Sequence, residues 1–163
     1  MGATVITLSS SVNCRCLTVE TGMDVTVEAN QILTVSNTID NKGSIFLYDD
    51  AQLVQTALNS NTTTGLLYQV IDDLTSSEFS YNYISFPVNT SGNYTFSGNL
   101  KFNTDALNIE TNTDPSFTGG VDGFDTTLST RWMYTLNGPG TYTKIDENTS
   151  VNPGQGVTMK GTS

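Results

Sequence analysis

The sequence predicts an all-β protein in which a short β-solenoid (β-helix) is followed by an antiparallel β-sandwich. The first observation is composition: Thr, Val, Ile, Leu and aromatic residues are plentiful, whereas Lys, Arg, Glu and Ala, which favour helices, are scarce. The second is a set of near-identical triplets that begin at positions 17, 25 and 33. The third is a change of pattern near residue 60, after which longer alternating segments follow. We therefore predict a solenoid over residues 1–60 and a sandwich over residues 61–163.

The triplets Leu17-Thr18-Val19, Val25-Thr26-Val27 and Leu33-Thr34-Val35 begin 8 residues apart. Because side chains alternate along a strand, each triplet points its Thr to one face and its two apolar side chains to the other. A three-residue strand buries too little surface to offset the entropy of ordering its backbone, so each triplet must lie against copies of itself, as in a solenoid. A pair of ordinary hairpins within a sandwich is the alternative.

This register predicts one narrow core in the first domain, with Thr18, Thr26 and Thr34 outside it. The expected core residues are Leu17, Val19, Val25, Val27, Leu33, Val35, Ile45, Leu47 and Leu53. The repeat continues in degraded form to about residue 55. The polar segment 57–65, "ALNSNTTTG", then indicates a linker or an exposed loop.

The second half contains longer strand-like segments that are separated by clusters of Gly, Asn, Asp and Pro. Their alternation suits an antiparallel sandwich in which each sheet has one face toward solvent. A turn at Pro153, Gly154 and Gly156 is expected to lead into the last strand, with both glycines in conformations closed to other residues. The predicted strand segments are "LLYQVID", "EFSYNYISFPV", "YTFSGNL", "TRWMYTLN", "TYTKID" and "GVTMKG".

The charge balance limits the partners of this protein. Six Lys plus Arg against sixteen Asp plus Glu give a net charge of −10, which repels phosphate backbones and anionic lipid surfaces. We therefore expect no nucleic-acid binding. No run of 18 apolar residues is present, so we also expect no membrane insertion. The first residues lack the basic and apolar segments of a signal peptide, which we interpret as a sign of an excised piece of a longer protein.

The two cysteines, Cys14 and Cys16, are two residues apart. On one strand they would share a face, where small buried side chains are the ordinary interpretation. A disulfide between them would be strained. A zinc site needs four ligands, and the chain has two Cys and no His.

The absence of His from the sequence excludes Ser-His-Asp and Cys-His catalytic arrangements and the usual general base near neutral pH. A glycosidase would need two carboxylates that face one cleft, and Asp72, Asp73 and Glu78, or Asp122 and Asp125, are the candidates. Acids in such turns ordinarily serve local backbone hydrogen bonds. The segment "FTGGVDGFD" has no Lys and no helix after it, so it is not a phosphate loop. We therefore predict that the protein is not an enzyme.

Aromatic residues supply the other candidate site. Tyr81 and Tyr83 have the same parity in one segment, as do Trp132 and Tyr134 in another. Together with Arg131, exposed aromatic faces could stack on sugar rings and bind a carbohydrate. The alternative is that these side chains, Trp132 and Tyr83 above all, fill the core of the sandwich.

No cofactor is expected, and calcium is the one metal that the sequence leaves open. With no His in the chain, a bound metal would be a hard ion with oxygen ligands. The best candidate loop is Asp122-Gly123-Phe124-Asp125, with Asp114 as a further ligand. Calcium takes six to eight oxygens, more than this loop supplies.

Three segments in order resemble the repeat module of the C-terminal region of Bacteroidetes surface and secreted proteins with type IX secretion sorting domains. The segments are "CRCLTVETGMDVTVEANQILTVSNTIDNKGSIFLYDDAQLVQT", "YNYISFPV" and "RWMYTLNGPGTYTKIDENTSVNPGQGVTMKGTS". The resemblance implies an extracellular or cell-surface location and a stalk or terminal module of an adhesin or exoenzyme, without chemistry of its own. We expect other domains of the parent protein as partners, with a glycan or self-association as the alternatives. The second cysteine, Cys16, departs from the family's pattern.

Two functions therefore remain. The first is a non-catalytic structural or adhesive module that acts as a stalk or display segment. The second is a carbohydrate-binding module, with or without calcium. A solvent-exposed aromatic cluster beside loop carboxylates would favour binding, and a fully buried aromatic set would favour a stalk.

Overall fold

The computed structural model describes residues 4–57, 61–70, 79–85, 93–103 and 112–162. The chain divides into two compact units, Met1–Asp72 and Asp73–Ser163. Among the described residues, no helix has the length and apolar character that a membrane span needs.

The first unit is a β-solenoid with three sides. Its strands form three parallel sheets in the orders β1-β4-β7-β10, β2-β5-β8 and β3-β6-β9, so each coil adds one strand to every sheet and β10 begins a fourth coil. The strands are β1 (Thr4–Leu8), β2 (Val12–Cys14), β3 (Leu17–Val19), β4 (Met23–Val27), β5 (Ile32–Val35), β6 (Ile39–Asn41), β7 (Ser44–Tyr48), β8 (Gln52–Gln55), β9 (Thr62–Thr63) and β10 (Leu66–Val70).

The stacking period of the coils differs from the spacing of the triplets. Thr4 pairs with Met23, 19 residues further on, and Ser44 pairs with Leu66, 22 residues further on. The three triplets lie in β3, β4 and β5, which belong to three different sheets. The expectation that the triplets stack on one another is therefore wrong. The 8-residue spacing carries the chain from one side of a coil to the next, and the stacked copy comes one full coil later.

The predicted register of the solenoid is confirmed. All nine expected residues belong to one core, in which Leu17 and Leu53 are partly buried, and Ile39 and Ala51 join it. Thr18 is exposed, and Thr26 and Thr34 are half-buried. Alternation thus places the two apolar side chains of each triplet inside the coil.

The corner between the third and first sides is closely packed. A Cβ added at Gly43 would lie 2.2 Å from the carbonyl oxygen of Met23, and one added at Gly65 would lie 2.1 Å from the carbonyl oxygen of Gly43. Asn41, only 3 % exposed, donates from Nδ2 to the carbonyl oxygen of Leu66 at 3.0 Å. Successive coils therefore approach so closely here that only glycine fits.

The solenoid extends beyond the predicted boundary near residue 60. Asp40 pairs with Thr62 in parallel, and β10 pairs with β7 along its full length. Residues 61–70 thus belong to the first unit, and "LLYQV" is a solenoid strand rather than part of a sandwich. The predicted linker is described over 57 and 61–65, and there it includes β9.

The second unit is built around an antiparallel sheet of order β11-β18-β16-β17. Two small pairs accompany it, antiparallel β12-β13 and parallel β14-β15. The strands are β11 (Tyr81–Ile84), β12 (Phe102–Asn103), β13 (Asn112–Thr113), β14 (Ser116–Thr118), β15 (Thr127–Ser129), β16 (Tyr134–Leu136), β17 (Tyr142–Lys144) and β18 (Val157–Lys160). A solenoid followed by an antiparallel β domain confirms the predicted fold class.

Two segments predicted as strands contain helical turns. Within "YTFSGNL", helix α1 (Phe96–Asn99) forms, and the Asn99 amide donates to the carbonyl oxygen of Thr95 at 2.8 Å. Within "TRWMYTLN", Thr130–Trp132 form a 3-10 turn that directs Met133, 0 % exposed, into the core. Backbone hydrogen bonds close both turns, from the Leu100 N–H to the carbonyl oxygen of Phe96 and from the Met133 N–H to that of Thr130. Side-chain alternation alone does not reveal such turns.

The glycines of the predicted turn have different roles. Gly154 has a φ of 78°, as expected of a position that favours glycine. Gly156 has no positive φ, and a Cβ there would meet nothing within 4 Å. The expectation of a special conformation is therefore correct for Gly154 and wrong for Gly156.

The core of the second unit lies under one face of the antiparallel sheet. Its buried residues are Tyr94, Phe96, Leu128, Met133, Ile145, Val151, Val157 and Met159. Val157 and Met159 alternate with Thr158 and Lys160 along β18, so the opposite face of the sheet presents the second set of side chains.

Candidate ligand-binding face of the antiparallel sheet

The outward face of the antiparallel sheet collects aromatic and cationic side chains, and we call it the aromatic face. Because Ile84, Met133, Ile145, Val157 and Met159 pack on the inner side, the residues of opposite parity point outward. By this parity the strands contribute Tyr81, Tyr83, Tyr134, Tyr142, Lys144 and Lys160 to the aromatic face. Trp132 and Arg131, in the 3-10 turn before β16, join it because Trp132 contacts Tyr81 and Lys160 and Arg131 contacts Trp132.

The strand register sets these side chains in rows across the sheet. One row runs from Tyr83 through Thr158 and Tyr134 to Lys144. Tyr81 pairs with Lys160 in the next row. Thr158, in the middle of the first row, is only 6 % exposed because an aromatic ring lies on the strand to either side.

Trp132, Tyr81 and Lys160 contact one another on the aromatic face. The Tyr81 and Trp132 rings meet edge to face, with centroids 6.1 Å apart. The Lys160 ammonium lies 4.2 Å from the Trp132 centroid and 5.3 Å from the Tyr81 centroid. The Arg131 guanidinium carbon lies 5.7 Å from the same indole ring. These cation–π contacts hold two positive charges beside the rings.

Three tyrosines of the aromatic face are more exposed than its tryptophan. Tyr81 is 45 % exposed, Tyr83 73 % and Tyr142 52 %, while Trp132 is half-buried and donates its indole N–H to the carbonyl oxygen of Val121. The alternative that Tyr83 is a core residue is therefore wrong. The inward face of β11 is filled by Ile84 instead, which leaves the tyrosines of that strand in solvent.

Lys144 is held more tightly than the other cations. Its ammonium lies 5.4 Å from the Tyr134 centroid and donates to the carbonyl oxygen of Ile145 at 2.8 Å. Partial burial lowers the pKa of Lys144, and the nearby charges of Asp146 and Glu147 oppose that shift. The charge is thus fixed beside the tyrosine ring.

The acidic loop with Asp122 and Asp125 begins next to Val121, whose carbonyl oxygen accepts the hydrogen bond from the Trp132 indole N–H. Both acids are exposed, and Asp114, the further candidate ligand, forms an ion pair with Lys101. Within the described ranges, no group of three or more His, Cys, Asp or Glu could hold a metal ion. Asp72, Asp73 and Glu78, the other candidate acids, lie outside the described residues.

The two cysteines do not share a face. Strand β2 ends at Cys14, which is half-buried against the core, and the chain turns a corner before Cys16, which is exposed. Hydrogen bonds from the side chain and backbone of Thr38 lower the pKa of Cys16, as do the Asn37 amide and the charge of Arg15. Burial, and then the charge of Cys16, raise the pKa of Cys14.

Cys16 is expected to react with iodoacetamide faster than Cys14 at neutral pH, because the thiolate is the reactive form and its population grows as the pKa falls. The rate for Cys16 should reach half its maximum at a lower pH than the rate for Cys14. Trypsin cleaves after Arg15 and separates the two cysteines, so peptide mass spectrometry measures both in one sample. Thr38→Val should lower the rate at which Cys16 reacts with iodoacetamide and leave the rate for Cys14 unchanged. Equal rates for the two thiols in the unaltered chain would contradict this assignment.

Comparisons of the chain with protein families, with curated proteins and with solved structures found no match. Function is therefore inferred from the residues of the aromatic face and of the solenoid.

Proposed function

We propose that this chain is a non-catalytic extracellular module of a larger surface or secreted bacterial protein, in which a solenoid spacer accompanies a sheet that binds glycans. The observation that carries the proposal is the exposure of Tyr81, Tyr83 and Tyr142 on one face of a sheet. Several large exposed rings on one face of a sheet ordinarily mark an interaction surface.

Sugar rings suit such a face because one side of a pyranose is lined by C–H groups that pack flat on an aromatic ring. The tyrosine rings have an apolar body and a hydroxyl at the tip, so they can pack on the ring and bind its hydroxyls together. Arg131 and Lys160 beside Trp132 add further hydrogen-bond donors. The arrangement therefore combines stacking with polar recognition.

The solenoid supports the structural half of the proposal. Each coil adds one strand spacing of roughly 4.8 Å along the solenoid axis, so its three full coils supply a short, rigid spacer of roughly 15 Å. The resemblance to type IX secreted proteins of Bacteroidetes supports an extracellular or cell-surface location, with other domains of the parent protein as neighbours. Because no His is present in the chain, the proposal assigns it no catalytic step.

Binding to immobilised polysaccharides tests the glycan-binding function. The double variant Tyr81→Ala and Tyr83→Ala should bind about thirtyfold more weakly, since each ring contributes about 1 kcal/mol of stacking. Tyr68→Ala is the control, because it removes a tyrosine from the solenoid and not from the aromatic face. The Tyr68 ring stacks on the Phe46 ring, with centroids 4.8 Å apart. Circular dichroism should show that both variants keep their folds.

Three results would overturn or narrow the proposal. Failure of the unaltered chain to bind any polysaccharide would overturn it, as would binding by the double variant that equals that of the unaltered chain.

The calcium-dependent form of the function is tested by thermal unfolding with calcium and with a chelator, because a ligand that binds only the folded state raises the melting temperature. Identical unfolding curves would reject calcium dependence.

A further inference from the structure

We propose that the ligand of the aromatic face is an acidic polysaccharide, a linear polymer of uronic acids whose carboxylates pair with Arg131, Lys144 and Lys160. This inference rests on the proposed glycan-binding function and names the chemical class of the glycan. It follows from the distribution of charge in the chain and from the alternation of rings and cations on the sheet.

Positive charge is concentrated on the aromatic face. The chain has six Lys plus Arg against sixteen Asp plus Glu, and half of the six lie on this one face. Elsewhere, Lys42 pairs with Glu20 and Asp40, and Lys101 pairs with Asp114. In the part of the chain that the structure describes, Arg131, Lys144 and Lys160 form no ion pair with a carboxylate. The remaining cation, Arg15 on the solenoid, also has no ion pair among the described residues, so three of the four such cations lie on the face where the rings are exposed.

Rings and cations alternate across the sheet. Lys144 and Lys160 lie on β17 and β18, which are separated by β16, and Tyr134 and Thr158 occupy the register positions between them. Two strand spacings across and two residues along the strand place the two cations on the order of 12 Å apart at their backbones. A linear polyuronate has the matching pattern, because every unit has an apolar ring face for a tyrosine and a carboxylate for a cation.

The net charge of −10 decides among anionic polymers. Long-range repulsion disfavours a ligand of high charge density, such as a sulfated polysaccharide or a nucleic acid, because three cations neutralise only a few of its charges. A polyuronate has one carboxylate on each ring and leaves the ring faces free of bulky substituents. The face therefore fits a polymer of moderate charge and flat, unsubstituted rings.

The experiment compares polygalacturonate with its methyl ester, which keeps the sugar backbone and removes the charge. We expect the full chain to bind polygalacturonate at least tenfold more tightly than the ester, and to lose affinity between 50 and 500 mM salt because exposed ion pairs are screened. The double variant Lys144→Gln and Lys160→Gln should bind the acid form about tenfold more weakly, since each exposed pair contributes up to about 1 kcal/mol. Arg15→Gln, which removes one charge from the solenoid, should bind as the unaltered chain does.

Separate outcomes distinguish this inference from the general function. Equal affinity for the ester and the acid would overturn the acidic ligand and leave glycan binding intact, whereas no binding to any polysaccharide would overturn both. Tighter binding to dextran sulfate, or to a single-stranded oligonucleotide, would also overturn the inference. Trp132 fluorescence reports whether the double variant is folded. Lys160→Arg, which keeps the charge, should bind polygalacturonate as the unaltered chain does, whereas Lys160→Gln should bind it more weakly.

Discussion

Alanine at Gly43 is expected to destabilise the solenoid by about 3 kcal/mol or more, near the upper end of the cost of overpacking. The added Cβ would lie 2.2 Å from the carbonyl oxygen of Met23 and 2.6 Å from that of Glu20. Both are backbone atoms of the coil below, so relief requires that the parallel pairing of the coils opens. Thermal unfolding followed by circular dichroism measures the loss.

Gly22→Ala is the matched control for Gly43→Ala. Gly22 has a φ of 78° and open space around it, so alanine there costs only the left-handed backbone strain of about 1 kcal/mol. Gly65→Ala should resemble Gly43→Ala, because its Cβ would lie 2.1 Å from a backbone oxygen. Equal melting temperatures for the Gly22 and Gly43 variants would show that the coils are not in close contact at this corner.

Val27→Asp is expected to unfold the first unit while the second unit stays folded. Val27 is 1 % exposed and pairs with Leu8 and Leu47 in the register of the first sheet. An unpaired buried carboxylate costs about 3 to 5 kcal/mol, which is comparable to the whole stability, roughly 4 to 10 kcal/mol, of a unit of this size.

The single tryptophan makes this prediction measurable unit by unit. Trp132 is the only Trp in the chain and lies in the second unit, so its fluorescence follows that unit alone, and circular dichroism follows both. Thr34→Asp adds the same charge at a half-buried Thr outside the solenoid core and should cost less than about 1 kcal/mol. Loss of the Trp132 transition in Val27→Asp would show that the two units unfold together.

The triplets show how far local pattern predicts this fold. Alternation in Val25-Thr26-Val27 predicted which side chains are buried, because the two-residue period of a strand is independent of what the strand pairs with. The same triplets did not reveal the stacking period. Two stacked parallel strands are separated by a full coil of chain. The length of that coil is set by its corners and not by the strands themselves, and Asn30 and Asp49 at two corners have positive φ.

The aromatic residues show what alternation leaves open. Parity predicted that Tyr81 and Tyr83 share one face of their strand. In the structure, Trp132 and Tyr134 lie on that same face of the sheet. Parity does not state which side of a strand faces solvent when both sides have apolar residues, as in "YNYI". Ile84, rather than Tyr83, packs against the inner core, and this choice depends on the pairing of β11 with β18.

By itself the sequence determined the all-β class, the division into a solenoid and an antiparallel domain, and the inward set of the solenoid, because composition and side-chain alternation are local properties. Only the tertiary structure decided that the first unit extends through β10, that glycine is required at Gly43, and that Lys160 lies over Trp132 and Tyr81. These features are contacts between residues far apart in the chain. They depend on the pairing of whole strands, and the order β11-β18-β16-β17 is not encoded in any single segment.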